Sequence, residues 1–423
     1  MSFRVTMPPL PMSKDHIQSE GYRQARSMLD ACSTEHGFVA SNTDKDNYKR
    51  IWARDGVIIG LSALLTKDKK LQSTFLATLQ TLRKHQGPHG EIPSNVEPQS
   101  GAVSLGGTTG RVDADLWYII GCEAYWNATH DEKFLHEFFP SIRKTEFLLG
   151  CWEFNNRGLL YVPQTADWTD EYIQHGYVLY DQLLYWRALR GMYNLCKAAE
   201  ADRCEDLKRK SEHLKDLIRT NYWFVSCEQD PPGAYHPVLH RKGCEAAQHR
   251  NQHWMAFFSP TGYGYRFDAL ANVLVSLLGI ADDDQRKRVD DFIVKDVVHP
   301  DMQLLPAFYP VIQPETDSWN ELEVSFSFTF KNKPYEFHNG GLWPFVTGFY
   351  VADLAKRGKT ELAETYLRNI DAANRLSAQD NDEWGFYEYI HGKNHTPGGT
   401  RHQGWSAAAS VMAHHALDGQ YIL

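Results

Sequence analysis

Two carboxylates stand far apart in the chain, each among aromatic residues: Asp113 in Arg111-Val-Asp-Ala-Asp-Leu-Trp117 and Glu388 in Trp384-Gly-Phe-Tyr-Glu-Tyr389. A protonated carboxyl can deliver a proton to a leaving oxygen while an ionised one activates water, which is the pair that cleavage of a glycosidic bond needs. Rings such as Trp117 and Tyr389 supply flat apolar faces for the C–H faces of a sugar. Other acid and aromatic groups repeat the theme. Trp52-Ala-Arg54-Asp55 offers a guanidinium and a carboxylate able to grip hydroxyls through charge-assisted hydrogen bonds. Asp167-Trp168-Thr-Asp170 is followed by Tyr177 and Gln182, and His338-Asn339-Gly340-Gly-Leu-Trp343 and Gln403-Gly-Trp405 complete the set. A plainer role exists for several of these. Asp113 and Asp115 fall in the first turn of a helix, where a carboxylate is favoured as a cap. Asp55 can likewise cap the helix that follows it, and a lone histidine such as His338 is often structural.

Helical periodicity dominates the chain that must position these groups. Apolar spacing and breakers predict about a dozen helices, near 13–32, 56–66, 68–86, 112–128, 131–152, 179–199, 203–222, 265–280, 283–295, 339–357, 360–376 and 402–417. They fall into pairs joined by short turns. Long segments rich in Gly, Pro, Trp, His and acids separate many of the pairs, at 87–111, 153–178, 223–264, 296–338 and 377–401. Short turns at one end and chemically loaded loops at the other predict an all-α fold, an (α/α)6 toroid whose long loops form the mouth. No Pro/Ser/Gly linker or break in composition appears, so residues 1–423 read as one domain. Minor strands are expected inside the loops, for example Leu322 to Phe330 with its alternating Val324, Phe326, Phe328 and Phe330.

Composition excludes several function classes. Net charge is −9, from 44 basic and 53 acidic residues, which argues against a nucleic-acid partner. No run approaches the length of a membrane span, and the first residues lack the apolar core of a signal peptide, so a cytoplasmic protein is expected. Seven cysteines, an odd number without a C-x-x-C pair, suggest neither a disulfide framework nor a zinc site. Nineteen histidines show no metal-ligand spacing, and there is no dinucleotide fingerprint or phosphate loop, so no metal and no cofactor are expected. The expected partner is a small carbohydrate; oligomeric state is open.

In order along the chain, Tyr48-Lys-Arg-Ile-Trp-Ala-Arg-Asp55, Gly90-Glu-Ile-Pro-Ser94, Gly110 to Trp117, Gly176-Tyr177 with Gln182, His338 to Pro344, Glu388-Tyr389 with Gly392, and Gln403-Gly-Trp-Ser406 resemble the (α/α)6 glycoside hydrolases. The match is strongest to family 100, the alkaline/neutral invertases. The resemblance implies hydrolysis with inversion, with Asp113 at the position of the general acid and Glu388 at that of the general base. It also implies that Arg54 and Asp55 hold the sugar and that His338 to Trp343 line the pocket. The chain departs from the family at Tyr180, which stands where the invertases carry Glu, and at Asp181, displaced by one position. The expected substrate is therefore a small glycoside, either sucrose or an α-glucoside. Two rival expectations remain at this point: a sugar epimerase or isomerase on the same barrel, using His338, His391 and His402, and a non-catalytic sugar-binding protein.

Overall fold

All thirteen residues from Ala53 to Leu65 are buried, including Arg54 and Asp55. A helix enclosed on every side has no polar stripe to turn toward water, so it must lie inside a ring of other helices. The computed structural model describes residues 16–225, 227, 231–247, 252–326, 328–377 and 383–423. Its helices in chain order are α1 (Glu20–Ala31), α2 (Ala53–Thr66), α3 (Lys69–Lys84), α4 (Val112–Thr129), α5 (Glu132–Cys151), α6 (Leu179–Ala198) and α7 (Cys204–Tyr222). There follow α8 (Pro237–Ala247), α9 (Ala269–Leu277), α10 (Asp283–Phe292), α11 (Trp319–Glu323), α12 (Pro344–Lys356), α13 (Thr360–Arg375) and α14 (Gly404–Leu417).

Six of these close an inner ring: α2 packs on α4, α4 on α6, α6 on α9, α9 on α12, α12 on α14, and α14 back on α2. The partners α1, α3, α5, α7, α10 and α13 form the outer layer. Their buried residues recur at helical spacing, as in α3 with Leu71, Phe75, Leu79 and Leu82, so each turns one stripe inward. This is the expected (α/α)6 toroid. Helices α8 and α11 are additions carried by the long loops.

The two layers begin differently. Four outer helices have side-chain caps, from Ser19, Asp68, Asp131 and Asp282. Five inner helices, α2, α4, α6, α12 and α14, start without any side-chain cap bond. For several inner helices, short antiparallel ladders set the entry. Ile51–Trp52 pairs with Asn95–Val96 just before α2, Tyr177–Val178 with Phe257–Ser259 before α6, and Phe267–Asp268 with Phe308–Tyr309 before α9.

Several expectations are corrected. The helix expected from 265 begins at Ala269, because Phe267–Asp268 is taken by a ladder. The one expected from 339 begins at Pro344, because Asn339 to Leu342 is held in bridge pairings, Leu342 with Pro306 and Ile390, and Gly340 sits at φ +91°. Residues 13–15 of the first expected helix lie outside the described residues. The strand expected over 322–330 is absent among the described residues; the segment starts inside α11. Four cysteines are paired, Cys196 with Cys204 and Cys227 with Cys244. The first bridge crosses the turn between α6 and α7, so two cysteines far from any cysteine motif meet because a helical hairpin folds them together. No helix among the described residues is long and apolar enough to cross a membrane.

The ring is tight between α12 and α14, where a Cβ on Gly348 would sit 2.6 Å from Ala409 Cβ and 2.9 Å from its carbonyl oxygen. Gly348→Val is expected to force these helices apart and cost about 1–3 kcal/mol. Chemical denaturation followed by circular dichroism measures it; an unchanged midpoint would mean that the contact yields freely.

Candidate active site

The uncapped ends of the inner helices and the long loops enclose a cavity of about 870 Å³. Its floor and walls include Trp52, Arg54, Asp55, Trp168, Asp170, His338, Trp343, Glu388 and Trp405. All nine are expected site residues, drawn from five segments of the chain.

Arg54 organises the floor. Its Nη1 donates to Asp113 Oδ2 at 3.1 Å, and its Nε lies 3.5 Å from Asp55 Oδ2. The guanidinium is also 5.4 Å from the Trp405 ring centre, within cation–π range. Asp113 is only 1% exposed and does not line the cavity, since Arg54 and the Tyr180 hydroxyl, at 3.4 Å, cover its oxygen. Burial raises the pKa of Asp113 despite Arg54 and Arg111. Asp55 does face the cavity, and burial pushes it up to about 6 even beside Arg54.

Asp170 is the carboxylate that the Asp167-Trp168-Thr-Asp170 turn presents to the cavity, with its side chain 25% exposed. Arg111 Nε stands 2.9 Å from its Oδ1. Burial raises its pKa, but Arg111 and Arg54 outweigh burial and hold it below the usual carboxylate range. His338 packs flat on Trp343, ring centres 5.1 Å apart, with Nδ1 3.2 Å from the Asp170 carbonyl oxygen. That carbonyl needs a donor, so Nδ1 carries the proton and Nε2 keeps a bare lone pair. Burial brings the pKa of His338 down to about 3. The ring is therefore neutral, and its buried Nε2 has no protein partner. The indole N–H groups of Trp168 and Trp405 are also buried without partners. Together they form one acceptor and two donors suited to the hydroxyls of a sugar.

Glu388 is 3% exposed and opens onto the same cavity. Tyr48 O–H donates to its two oxygens at 3.0 and 3.1 Å, and the Thr400 N–H donates to Oε2 at 3.2 Å. Burial nevertheless pushes it up to about 7. Gly399 is required beneath it: at φ +74°, a Cβ there would meet Glu388 Oε2 at 2.3 Å.

The other expected residues support the site rather than line it. Trp117 Nε1 donates to the Tyr180 hydroxyl oxygen from the core. Gln182 is spent on the backbone of Leu160, and Asn339 on Ile312 and Asn332. Asp167 accepts from the N–H and hydroxyl of Thr169, and burial lifts it to about 6. Asp115 accepts from the Ile92 N–H. Tyr177 belongs to a cluster with Tyr235 and Phe258 away from the cavity, and Tyr389 stacks on Trp343 at 5.9 Å. Gly340 sits beneath the Asn339 turn, and Gln403 is buried at the start of α14. Sequence reasoning did not single out Tyr48, Arg111, Lys331, Phe326 or Phe328, which also line the cavity. Only Tyr48 and Arg111 carried a signal, standing inside motifs read for other residues.

A family profile described as alkaline and neutral invertase matches residues 22–229 and 247–419. The chain is 24% identical to a probable chloroplastic alkaline/neutral invertase A of Arabidopsis thaliana, across 96% of this chain and 71% of that one. It is equally 24% identical to a cytosolic invertase 1 of Oryza sativa subsp. japonica, over 88% and 72%. Among solved structures it resembles a GH63 mannosylglycerate hydrolase from Thermus thermophilus, with a TM-score of 0.64 and 12% identity over 92% of this chain and 98% of the other. A bacterial glucoamylase complexed with acarbose gives the same score at 13% identity, over 95% and 56%.

The buried Glu388 has a consequence for stability. It titrates near 4.5 when unfolded and at about 7 when folded. Its folded form holds a proton that the unfolded chain loses between those values, so stability falls as pH rises through this window, and the loss is complete above about 7. Glu388→Gln is expected to unfold like the parent at pH 4.5 and to be more stable by about 3 kcal/mol at pH 8. Urea denaturation at the two pH values tests this; equal midpoints at pH 8 would show that the carboxylate is not held in a costly place.

Proposed function

The chain belongs to the alkaline and neutral invertase family and is a glycoside hydrolase, and from that premise we propose that it inverts the anomeric centre of a small glycoside such as sucrose or an α-glucoside. In this reading Glu388 takes a proton from the attacking water. Its partners, the Tyr48 hydroxyl and the Thr400 N–H, are all donors and favour the ionised form, while burial keeps it basic enough to work near neutrality. The observation that carries the reading is that Asp170 and Glu388 open into one cavity while Asp113 lies behind Arg54.

In this reading the proton donor is Asp170 rather than Asp113, the residue expected from the sequence, and the lining of the cavity supports the change. A donor must reach the glycosidic oxygen, and Asp113 does not line the cavity, its Oδ2 being engaged by Arg54 and Tyr180. Asp170 is ionised in the open cavity; a bound sugar displaces water, strengthens the burial that opposes ionisation, and lifts its pKa toward a working value. Asp113 then acts as the counter-charge that aims Arg54 at the sugar, with Asp55 beside it. His338, neutral and with a free Nε2, accepts a hydroxyl rather than transferring protons. His402 bonds to Thr43 and His391 caps the turn at Lys393, so the histidine-based isomerase finds no pair of histidines across the cavity among the described residues.

Asp170→Asn and Glu388→Gln are each expected to lower kcat on the natural glycoside by about 10²–10⁴-fold. A glycosyl fluoride needs no proton donor, because fluoride leaves unaided. Asp170→Asn is therefore expected to keep most of its turnover on the fluoride, and Glu388→Gln to lose it. Asp113→Asn raises KM on both substrates. If Asp113→Asn rather than Asp170→Asn shows the selective loss, the donor is Asp113. Screening sucrose, trehalose, maltose, isomaltose and glucosylglycerate by NMR identifies the substrate. The first anomer released reports inversion, and a product that keeps the configuration of the cleaved bond would end the inverting mechanism.

A further inference from the structure

Away from the sugar cavity, two histidines distant in sequence meet. His299 follows the helical turn Ile293–Val297 after α10, and His395 lies at the tip of the hairpin formed by Tyr389–Ile390 and Pro397–Gly398. Their Nε2 atoms are 3.4 Å apart and their rings stand nearly perpendicular, at 86°. Asp301 offers an oxygen within 4.8 Å of a nitrogen on each ring, from an exposed side chain free to swing. Two imidazole nitrogens bound to one ion at about 2.0–2.1 Å with tetrahedral angles are about 3.4 Å apart. We propose that His299, His395 and Asp301 bind a divalent ion of the class that favours imidazole, such as zinc, cobalt or nickel, with water completing the shell.

The resting tautomer must change for this use. His299 Nδ1 faces the backbone N–H groups of Asp301 and Met302, each at 3.2 Å, so without metal the proton sits on Nε2, which faces His395 and the Gly392 backbone. Binding displaces the proton between the rings and moves it to Nδ1, where the turn must give way. That rearrangement limits affinity and makes the site an accessory one.

The position of the hairpin gives the ion a role. Glu388 directly precedes the hairpin's first strand, and Thr400, just beyond the second strand, donates to Glu388 Oε2. An ion at the tip ties this arm to the loop at 299–301 and steadies Glu388 from both sides without touching substrate. The site rests on its own geometry and stands whether or not Asp170 proves to be the proton donor.

The test uses the full chain, stripped with a chelator, in a Cys151→Ser background because Cys151 is an exposed free thiol. Titration with Co²⁺, read by calorimetry and by the visible absorption of tetrahedral cobalt, is expected to show one ion per chain and a raised unfolding temperature. His299→Ala and His395→Ala, each checked for folding by circular dichroism, abolish both signals, and Asp301→Asn weakens them. His89→Ala removes another surface histidine paired with a carboxylate, Glu91 at 2.8 Å, and leaves them unchanged. Absence of binding in the parent, or binding that survives His299→Ala or His395→Ala, overturns the proposal.

Discussion

A buried guanidinium is the constraint on which the rest of the site depends. Arg54 sits in the first turn of α2, walled by Trp52 and Trp405 and faced by Asp113 and Asp55. A charge this deep is tolerated only with a partner, and removing one member of such a pair costs about 3–5 kcal/mol. Asp113 is thereby committed to Arg54. Arg54 in turn helps to hold Asp170 ionised until substrate arrives. One cation sets the electrostatics of three carboxylates, and in the proposed mechanism the donor role falls to one that still sees open space.

The helical ring makes that arrangement possible by separating two jobs. Four of the six outer helices close their own starts with Ser and Asp caps and need nothing from the site. Five of the six inner helices, all but α9, start without a side-chain cap at the cavity end, where their free N–H groups and positive dipole ends converge. Such a floor favours carboxylates and hydroxyls over bulk apolar groups. Short ladders before α2 and α6 hold these uncapped starts in place, and α9 has both a ladder and the Asp268 cap.

Glu388 is placed on a different principle. It stands at the root of a hairpin rather than on a helix, and its donors come from Tyr48, early in the chain, and Thr400, just past the hairpin. Burial outweighs the distant charge of Lys331 and keeps it near the pH at which it must exchange protons, and the fold accepts a stability loss there. The hairpin tip lies beside His299, so the arm that carries Glu388 also ends at the one histidine and carboxylate cluster found among the described residues.

Much of this was readable from the chain alone. Apolar periodicity located all twelve ring helices, because a residue spacing of three to four is imposed by burial of one helix face. Clusters of Trp beside acids marked the cavity, since Trp52, Trp168, Trp343 and Trp405 all reach it. Periodicity says nothing about what lies across a gap in sequence. The sequence singles out Asp113 and gives Asp170 only a binding role, and only the folded ring shows Arg54 lying over the first and leaving the second open. The same holds for the paired cysteines on α6 and α7 and for His299 beside His395. Local sequence determined which segments are helices and which loops carry chemistry, because those follow from neighbours along the chain. Tertiary structure alone decided which carboxyl is accessible and what each one's charge costs, because access and pKa depend on groups that meet only after the ring has closed.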